Sequence, residues 1–309
     1  MKYINIVNGP QNVSAVIQGC MRMPSLTKEA AAKVIRTAYD CGVNFYDHAT
    51  CYGRDGEAET RFAEAFPLTG INREDIYIQS KCGLCFDRGE FDWTKENILS
   101  SVDDSLRRLK IDYLDTLLLH RPDVLFEPEA VAAAFDELAT AGKVRFFGVS
   151  NLVPMQIELL KKFVKQPLVI NQVQLSLEQS QLIDQALYMN NKSTDFSINR
   201  DGNALDYCRL KDITIQAWSP LQFGMFGGSF IDHPDFPKLN QALAELAERE
   251  HVSKAAVAIA WILRHPAKMQ AIIGTMNPEH VADACAAADV TLSHHDWYAL
   301  YLAAGKYLP

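Results

Sequence analysis

Positive charge is in short supply: 30 lysines and arginines stand against 38 aspartates and glutamates, for a net charge of −8. A polyanionic partner, DNA or RNA, is therefore not expected. Long apolar runs are missing too. The longest, Ala255 to Leu263, covers about half a bilayer span. Asn5 and Asn8 interrupt the first residues, so neither a membrane span nor a signal peptide is expected. A disulfide framework is also absent from the pattern. The seven cysteines (Cys20, Cys41, Cys51, Cys82, Cys85, Cys208, Cys285) are odd in number and scattered, which fits a soluble protein of the reducing cytoplasm. No Pro- or Ser-rich linker divides the chain. With 309 residues, 48% of them hydrophobic, one large core is within reach, and a single domain over 1–309 is expected.

What is present is a rhythm. Residues 2–18 read as two short strands around an Asn8-Gly9 turn. Helical periodicity over 27–41 puts Ala31, Val34, Ile35 and Ala38 on one face, and Gly42 stops it. A strand over 43–47 follows. Helices at 57–66 and 94–109, 128–141 and 154–164 then alternate with strands at 76–81, 116–120, 146–150 and 169–174. A helix near 203–210 precedes the strand 214–218, helices cover 238–250 and 253–265, and the strand 271–274 is followed by helices at 278–287 and 293–304. Together with a strand over 15–19, this makes eight βα units. Eight such units in this length point to an α/β fold, a closed (β/α)₈ TIM barrel. An N-terminal hairpin would close its bottom, and extra helices would lie near the C-terminus.

The active end of such a barrel lies at the C-terminal strand ends. Here they carry Asp47, Lys81, His120, Ser150-Asn151, Gln172, Trp218-Ser219 and Gly274-Thr275. An ionisable group at the end of an apolar strand is costly to bury unless paired. Taken singly, each has an ordinary explanation: Asp47 a loop cap, Lys81 a snorkelling side chain, His120 a satisfied core histidine. Three of them at one end of consecutive strands, with Tyr52 beside the first, point to proton transfer to a carbonyl oxygen. A tyrosine is a weak acid unless a cation stabilises the phenolate. Lys81 would be that cation, and Asp47 would keep the lysine placed and charged. His120 would donate a hydrogen bond to the carbonyl or share the proton with Tyr52. None of these groups supplies electrons, so a reduction needs a cofactor.

These residues resemble the aldo-keto reductases over essentially the whole chain. The family's Asp, Tyr, Lys and His match Asp47 in Asn44-Phe45-Tyr46-Asp47-His48-Ala49, Tyr52 in Tyr52-Gly53, Lys81 in Gln79-Ser80-Lys81-Cys82-Gly83, and His120 in Leu118-Leu119-His120-Arg121-Pro122-Asp123. The Asp-His-Ala and His-Arg-Pro-Asp forms look most like a bacterial subgroup of oxidoreductases. The resemblance implies hydride transfer from C4 of NADPH to an aldehyde or ketone, with Tyr52 as proton donor. It implies that Ser150, Asn151 and Gln172 bind the nicotinamide carboxamide and that Trp218 stacks on the ring. Ser219, Pro220, Leu221 and Gln222, with Gly19, Cys20 and Met21 across the mouth, would line the rest of the dinucleotide. Gly274, Thr275, Met276, Asn277, His280 and Asp283 would hold the adenosine end. The missing Gly-x-Gly-x-x-Gly fingerprint agrees, because this family binds its dinucleotide extended across the barrel mouth. One departure concerns the 2′-phosphate. Where NADPH-preferring members carry Lys or Arg, this chain has Gly274 and His280, so NAD is an alternative to NADP.

Other features carry lesser expectations. Cys82-Gly83-Leu84-Cys85 has dithiol spacing, but no second pair follows and no metal site is expected. Cys20, Cys51 and Cys85 would lie near the mouth and could be open to oxidation. Residues 222–238, with Phe223, Met225, Phe226, Phe230 and Phe236, read either as a flap over the site or as a self-packed loop. Phe86, Phe91 and Trp93 would add apolar wall. The tail after Ala287 leaves no long C-terminal loop, which implies an open site of broad specificity. A small carbonyl compound is the expected partner, on a monomer or weak homo-oligomer. Two competing readings are a Schiff-base aldolase or isomerase using Lys81, and a cofactor-sensing module with slow or vestigial reductase activity, like potassium-channel β-subunits.

Overall fold

Hydroxyl side chains start several of the helices. Thr27, Thr94, Ser253 and Ser293 each accept the backbone N–H three residues on, satisfying a donor that the first helical turn leaves free. In the computed structural model, which describes residues 1–309, the chain opens with β1 (Tyr3–Ile4), β2 (Val13–Ser14) and β3 (Val16–Gly19), then α1 (Lys28–Asp40) and β4 (Phe45–Asp47). Next come α2 (Glu57–Ala65), β5 (Tyr77–Cys82), β6 (Leu84–Cys85), β7 (Glu90–Phe91), α3 (Lys95–Leu109) and β8 (Leu114–Leu119). The alternation continues through α4 (Pro128–Thr140), β9 (Val144–Ser150), α5 (Pro154–Lys161) and β10 (Leu168–Gln174). The remainder is α6 (Gln181–Leu187), α7 (Ala204–Leu210), β11 (Thr214–Trp218), α8 (Pro237–Glu250), α9 (Lys254–Leu263), β12 (Gln270–Ile273), α10 (Pro278–Cys285) and α11 (His294–Ala303).

Eight strands close into a barrel in the order β3-β4-β5-β8-β9-β10-β11-β12, with β12 returning to β3. All eight pairings are parallel, so every strand's C-terminal end opens at the same mouth. The α/β barrel expected from the rhythm is the fold observed. Inside it, Ile17, Phe45, Leu118, Ile170 and Ile272 form one apolar cluster with Ile6 and Val13 of the N-terminal segment, which closes the bottom as expected. Between the barrel and its helices runs the larger core, where Trp261 of α9 and Trp297 of α11 stack at 4.8 Å. Each of those indoles donates to the other's backbone carbonyl at 3.1 Å, which pins the last helix to α9.

The differences from the sequence reading are local. The hairpin pairs Tyr3 with Ser14 and Ile4 with Val13, so residues 5–12 form a long connection rather than a two-residue Asn-Gly turn. The reason is packing: Ile6 is fully buried in the apolar cluster at the bottom, and a tight turn would pull it out. Helix α6 and the ribbon β6–β7 were not anticipated, being too short to show a period. The chain enters the ribbon through Gly83, at φ +89°, where a Cβ would sit 2.5 Å from the Trp93 ring. Trp93 is therefore fully buried behind the ribbon, against Phe126, and does not line the mouth. Phe86 and Phe91 do.

Candidate active site

Alternation in β4 decides what faces the barrel. Tyr46 points outward, its hydroxyl donating to the Ile35 carbonyl of α1 at 3.0 Å, so Phe45 and Asp47 point inward. Lys81 of β5 also points inward and is fully buried. Its ammonium spends all three protons: on Asp47 Oδ2 at 2.7 Å, the His48 carbonyl at 2.7 Å and the Tyr52 hydroxyl at 3.0 Å. Tyr52 reaches this point from the loop after β4, and its ring meets that of His120 edge-on at 5.8 Å. Barrel closure thus brings Asp47, Tyr52, Lys81 and His120 to one place.

Burial and charge set the protonation states. Burial opposes the Lys81 ammonium, but Asp47 and then Tyr52 outweigh it, and its pKa is held above the ordinary lysine value. Burial pushes Tyr52 up to about 12, against the downward pull of Lys81. Burial, helped by the charges of Lys81 and Arg121, lowers His120 well below 6.5. At neutral pH the site therefore holds an ammonium, a phenol and a neutral imidazole. A lysine so engaged and so firmly protonated is a poor Schiff-base nucleophile.

Amide side chains complete the placement of Asp47. Gln79 Nε2 and Gln172 Nε2 both donate to Asp47 Oδ1, at 2.6 and 3.0 Å, and both also donate to Gln216 Oε1. Gln216 donates to Gln270 Oε1, and Gln270 to the Ser14 carbonyl. The carboxylate is thus anchored through the barrel to its bottom. Outside the barrel wall, the buried Glu59 of α2 accepts from Ser80 Oγ at 2.6 Å, Ser105 Oγ at 2.8 Å and Arg108 Nε at 2.7 Å. This ties α2 and α3 to the strand residue just before Lys81. Composition alone does not single out these glutamines or Glu59.

A cavity of about 1400 Å³ opens over these groups and runs across the mouth to α10. Its wall includes Gly19, Met21, Ser150, Asn151, Gln172, Trp218, Ser219, Pro220, Leu221 and Gln222, and at the far end Gly274, Thr275, Met276, His280 and Asp283. Two sequence candidates fall elsewhere. Cys20 is fully buried with its thiol toward the Gln18 carbonyl, because the chain bends into a helical turn directly after β3. The Asn277 side chain caps α10, accepting from Glu279 N–H at 2.9 Å, and is not part of the wall. Trp218 Nε1 donates to Asn151 Oδ1 at 3.1 Å, which fixes the ring. Gln222 Oε1 is buried without a partner, an acceptor left open on the wall. Arg22 and Lys254 were missed by sequence reasoning: both line the far end. Arg22 donates to the Gly274 carbonyl at 3.1 Å, over a place where a Cβ would sit only 2.6 Å from its Nη1. Lys254 pairs with Asp232.

The remaining expectations resolve in part. Residues 222–236 are anchored at the base, where Phe230 is fully buried and Phe223 packs on His233 and Phe236. The tip overhangs the cavity with Met225 and Phe226 exposed. Cys51 lines the cavity, but burial pushes its thiol up to about 11, which leaves little of the thiolate that oxidation requires. His48, next to Asp47 in the chain, is fully buried on the outer face against Phe62 with neither ring nitrogen partnered.

The family model of the aldo/keto reductase family matches residues 15–301. The chain is 32% identical to an uncharacterized oxidoreductase, YcsN, of Bacillus subtilis over 95% of each chain. It is 33% identical to a 6-dehydroglucose reductase of Agrobacterium fabrum, again over 95% of each. A thermostable aldo-keto reductase solved with the inhibitor epalrestat superposes with a TM-score of 0.77 at 24% identity, covering 98% of this chain and 100% of that one. With a family model spanning almost the whole sequence and relatives matched end to end, this chain belongs to the aldo/keto reductase family.

Proposed function

We propose that this chain is a cytoplasmic, single-domain oxidoreductase that reduces an aldehyde or ketone to the alcohol with NADPH, Tyr52 giving the proton. The observation that carries this reading is the Lys81 ammonium, held by Asp47 and the His48 carbonyl and hydrogen-bonded to the Tyr52 hydroxyl. As the carbonyl oxygen gains negative charge, Tyr52 transfers its proton there, and Lys81 stabilises the phenolate that remains. Cys51 Sγ lies 3.4 Å from His120 Nδ1. Because the thiol keeps its proton, it donates to Nδ1, which leaves the imidazole proton on Nε2 as a donor to the same carbonyl oxygen. Bound across the mouth, the nicotinamide would supply the hydride. Ser150, Asn151 and Gln172 would hold its carboxamide and Trp218 its ring, Ser219 to Gln222 the pyrophosphate, and the wall from Gly274 to Asp283 the adenosine. Arg22, whose guanidinium is bound only to the Gly274 carbonyl, supplies positive charge absent at Gly274 and His280, which favours the 2′-phosphate of NADPH.

Oxidation of each reduced coenzyme against a panel of aldehydes, diketones and quinones tests the reading. Turnover with NADPH supports it, and no turnover on any carbonyl would sink it. Equal or tighter binding of NADH, measured as dissociation constants, would overturn the coenzyme preference. The pH profile is a second check. A proton donor must be protonated, and a pKa raised to about 12 keeps Tyr52 so at every lower pH. A histidine lowered well below 6.5 stays neutral above that value. The kcat/KM for reduction is therefore expected to be level from about pH 7 to about pH 9. A titration inside that window would show that another group controls the proton.

A further inference from the structure

Arg121 is the charged group that carbonyl reduction, as described, leaves without a task. It directly follows His120 at the end of β8, lines the same cavity and is half-buried. Its guanidinium carbon lies 5.2 Å from the centre of the Trp218 ring. No carboxylate pairs with it, and its N–H groups find no acceptor in the chain; burial holds its pKa below the ordinary guanidinium value. The nearby carboxylate that could serve, Asp123, is committed. Asp123 Oδ2 accepts from Trp93 N–H at 3.0 Å and Oδ1 from Leu125 N–H at 2.8 Å.

The other cations of the cavity differ. Arg22 is bound to the Gly274 carbonyl and Lys254 to Asp232, both toward the adenosine end. Lys81 is neutralised by Asp47. Arg121 stands in the β8 sector, between the strands that carry Lys81 and Ser150, and the wall there also contains Leu84, Phe86 and Phe91. A guanidinium laid on an indole beside apolar side chains, with no internal counter-ion, is an anion site waiting to be filled. One uncompensated charge suits a monoanion, and the planar fork suits a carboxylate.

Building on the reductase reading, we propose that Arg121 binds a carboxylate carried by the carbonyl substrate, so that the preferred substrates are aldehydes or ketones bearing a carboxylate. The open mouth then selects by charge rather than by shape.

The test compares acids with neutral amides of the same size: 4-carboxybenzaldehyde against 4-formylbenzamide, and succinic semialdehyde against its amide. Wild type is expected to favour the acid by about tenfold or more in kcat/KM, chiefly through KM, in at least one pair. Arg121→Met should bring that ratio close to one, and Arg121→Lys should keep part of it. No preference in either pair, or a preference that survives Arg121→Met, overturns the proposal while leaving the reductase reading intact. The converse is separated by calorimetric titration of 4-carboxybenzaldehyde into the protein. If nothing is turned over with either coenzyme, the reductase reading fails, and binding that weakens about tenfold or more in Arg121→Met still supports the anion site. Equal binding by both proteins defeats it. Should Arg121→Met fail to fold in a thermal melt, benzoate competition in the wild type decides: benzoate competing with the aldehyde where benzamide does not supports the site, and equal competition by both overturns it.

Discussion

Tyr52→Phe is expected to lower kcat for carbonyl reduction by roughly 10²–10⁴-fold while leaving coenzyme affinity nearly unchanged. The substitution removes one oxygen and keeps the ring, so the edge-on contact with His120 at 5.8 Å survives. What is lost is the only neutral O–H acid in contact with the Lys81 ammonium, at 3.0 Å. Lys81 keeps its other two acceptors, Asp47 Oδ2 and the His48 carbonyl, so the variant should fold with a stability loss of about 1 kcal/mol, that of one hydrogen bond. The measurement is single-turnover reduction of the best aldehyde, with coenzyme binding followed in parallel. A variant retaining more than about a tenth of the wild-type rate would remove Tyr52 from the chemistry. In that case His120, with its proton held on Nε2 by Cys51, would be the donor to examine.

The fold was legible because most barrel strands are apolar runs with a polar residue at or just past their end, and because several helix starts, at Thr27, Thr94, Ser253, Asn277 and Ser293, carry a hydroxyl or amide that caps them. Asp47, Lys81 and His120 stood out for the same reason: they are ionisable groups at the ends of runs such as Leu114–Leu119, which is buried along its whole length. The supporting amides were not legible in that way. Gln79, Gln216 and Gln270 lie inside strands, and an amide in a strand interior looks like a residue on a solvated face until closure shows that both faces are buried. Arg22 and Lys254 escaped notice because charged surface residues are common, and only their position around the mouth sets them apart. Residues 5–12 were misread because a turn dipeptide is a local signal, whereas the pull of Ile6 into the apolar cluster at the barrel bottom is a tertiary one.

Lys81→Met separates the structural part of this site from the chemical part. The side chain is fully buried and lies 2.7 Å from an equally dry Asp47. Methionine fills a similar volume but leaves the carboxylate with only the Gln79 and Gln172 amides as charge-neutral donors. Removing one partner of a buried ion pair costs roughly 3–5 kcal/mol, which for a chain of this length is a fall of about 10 °C in melting temperature. Activity should fall by about 10³-fold or more, because Tyr52 loses the one charge that pulls its pKa down and would leave behind an unstabilised phenolate. The stability and activity losses are separable. In Asp47→Asn with Lys81→Met the uncompensated charge is gone, so most of the melting temperature should return, whereas activity should not, since no cation faces Tyr52. Recovery of both in the double variant would mean that the ion pair only shapes the barrel mouth. Recovery of stability alone is the result expected if Lys81 is what makes Tyr52 an acid.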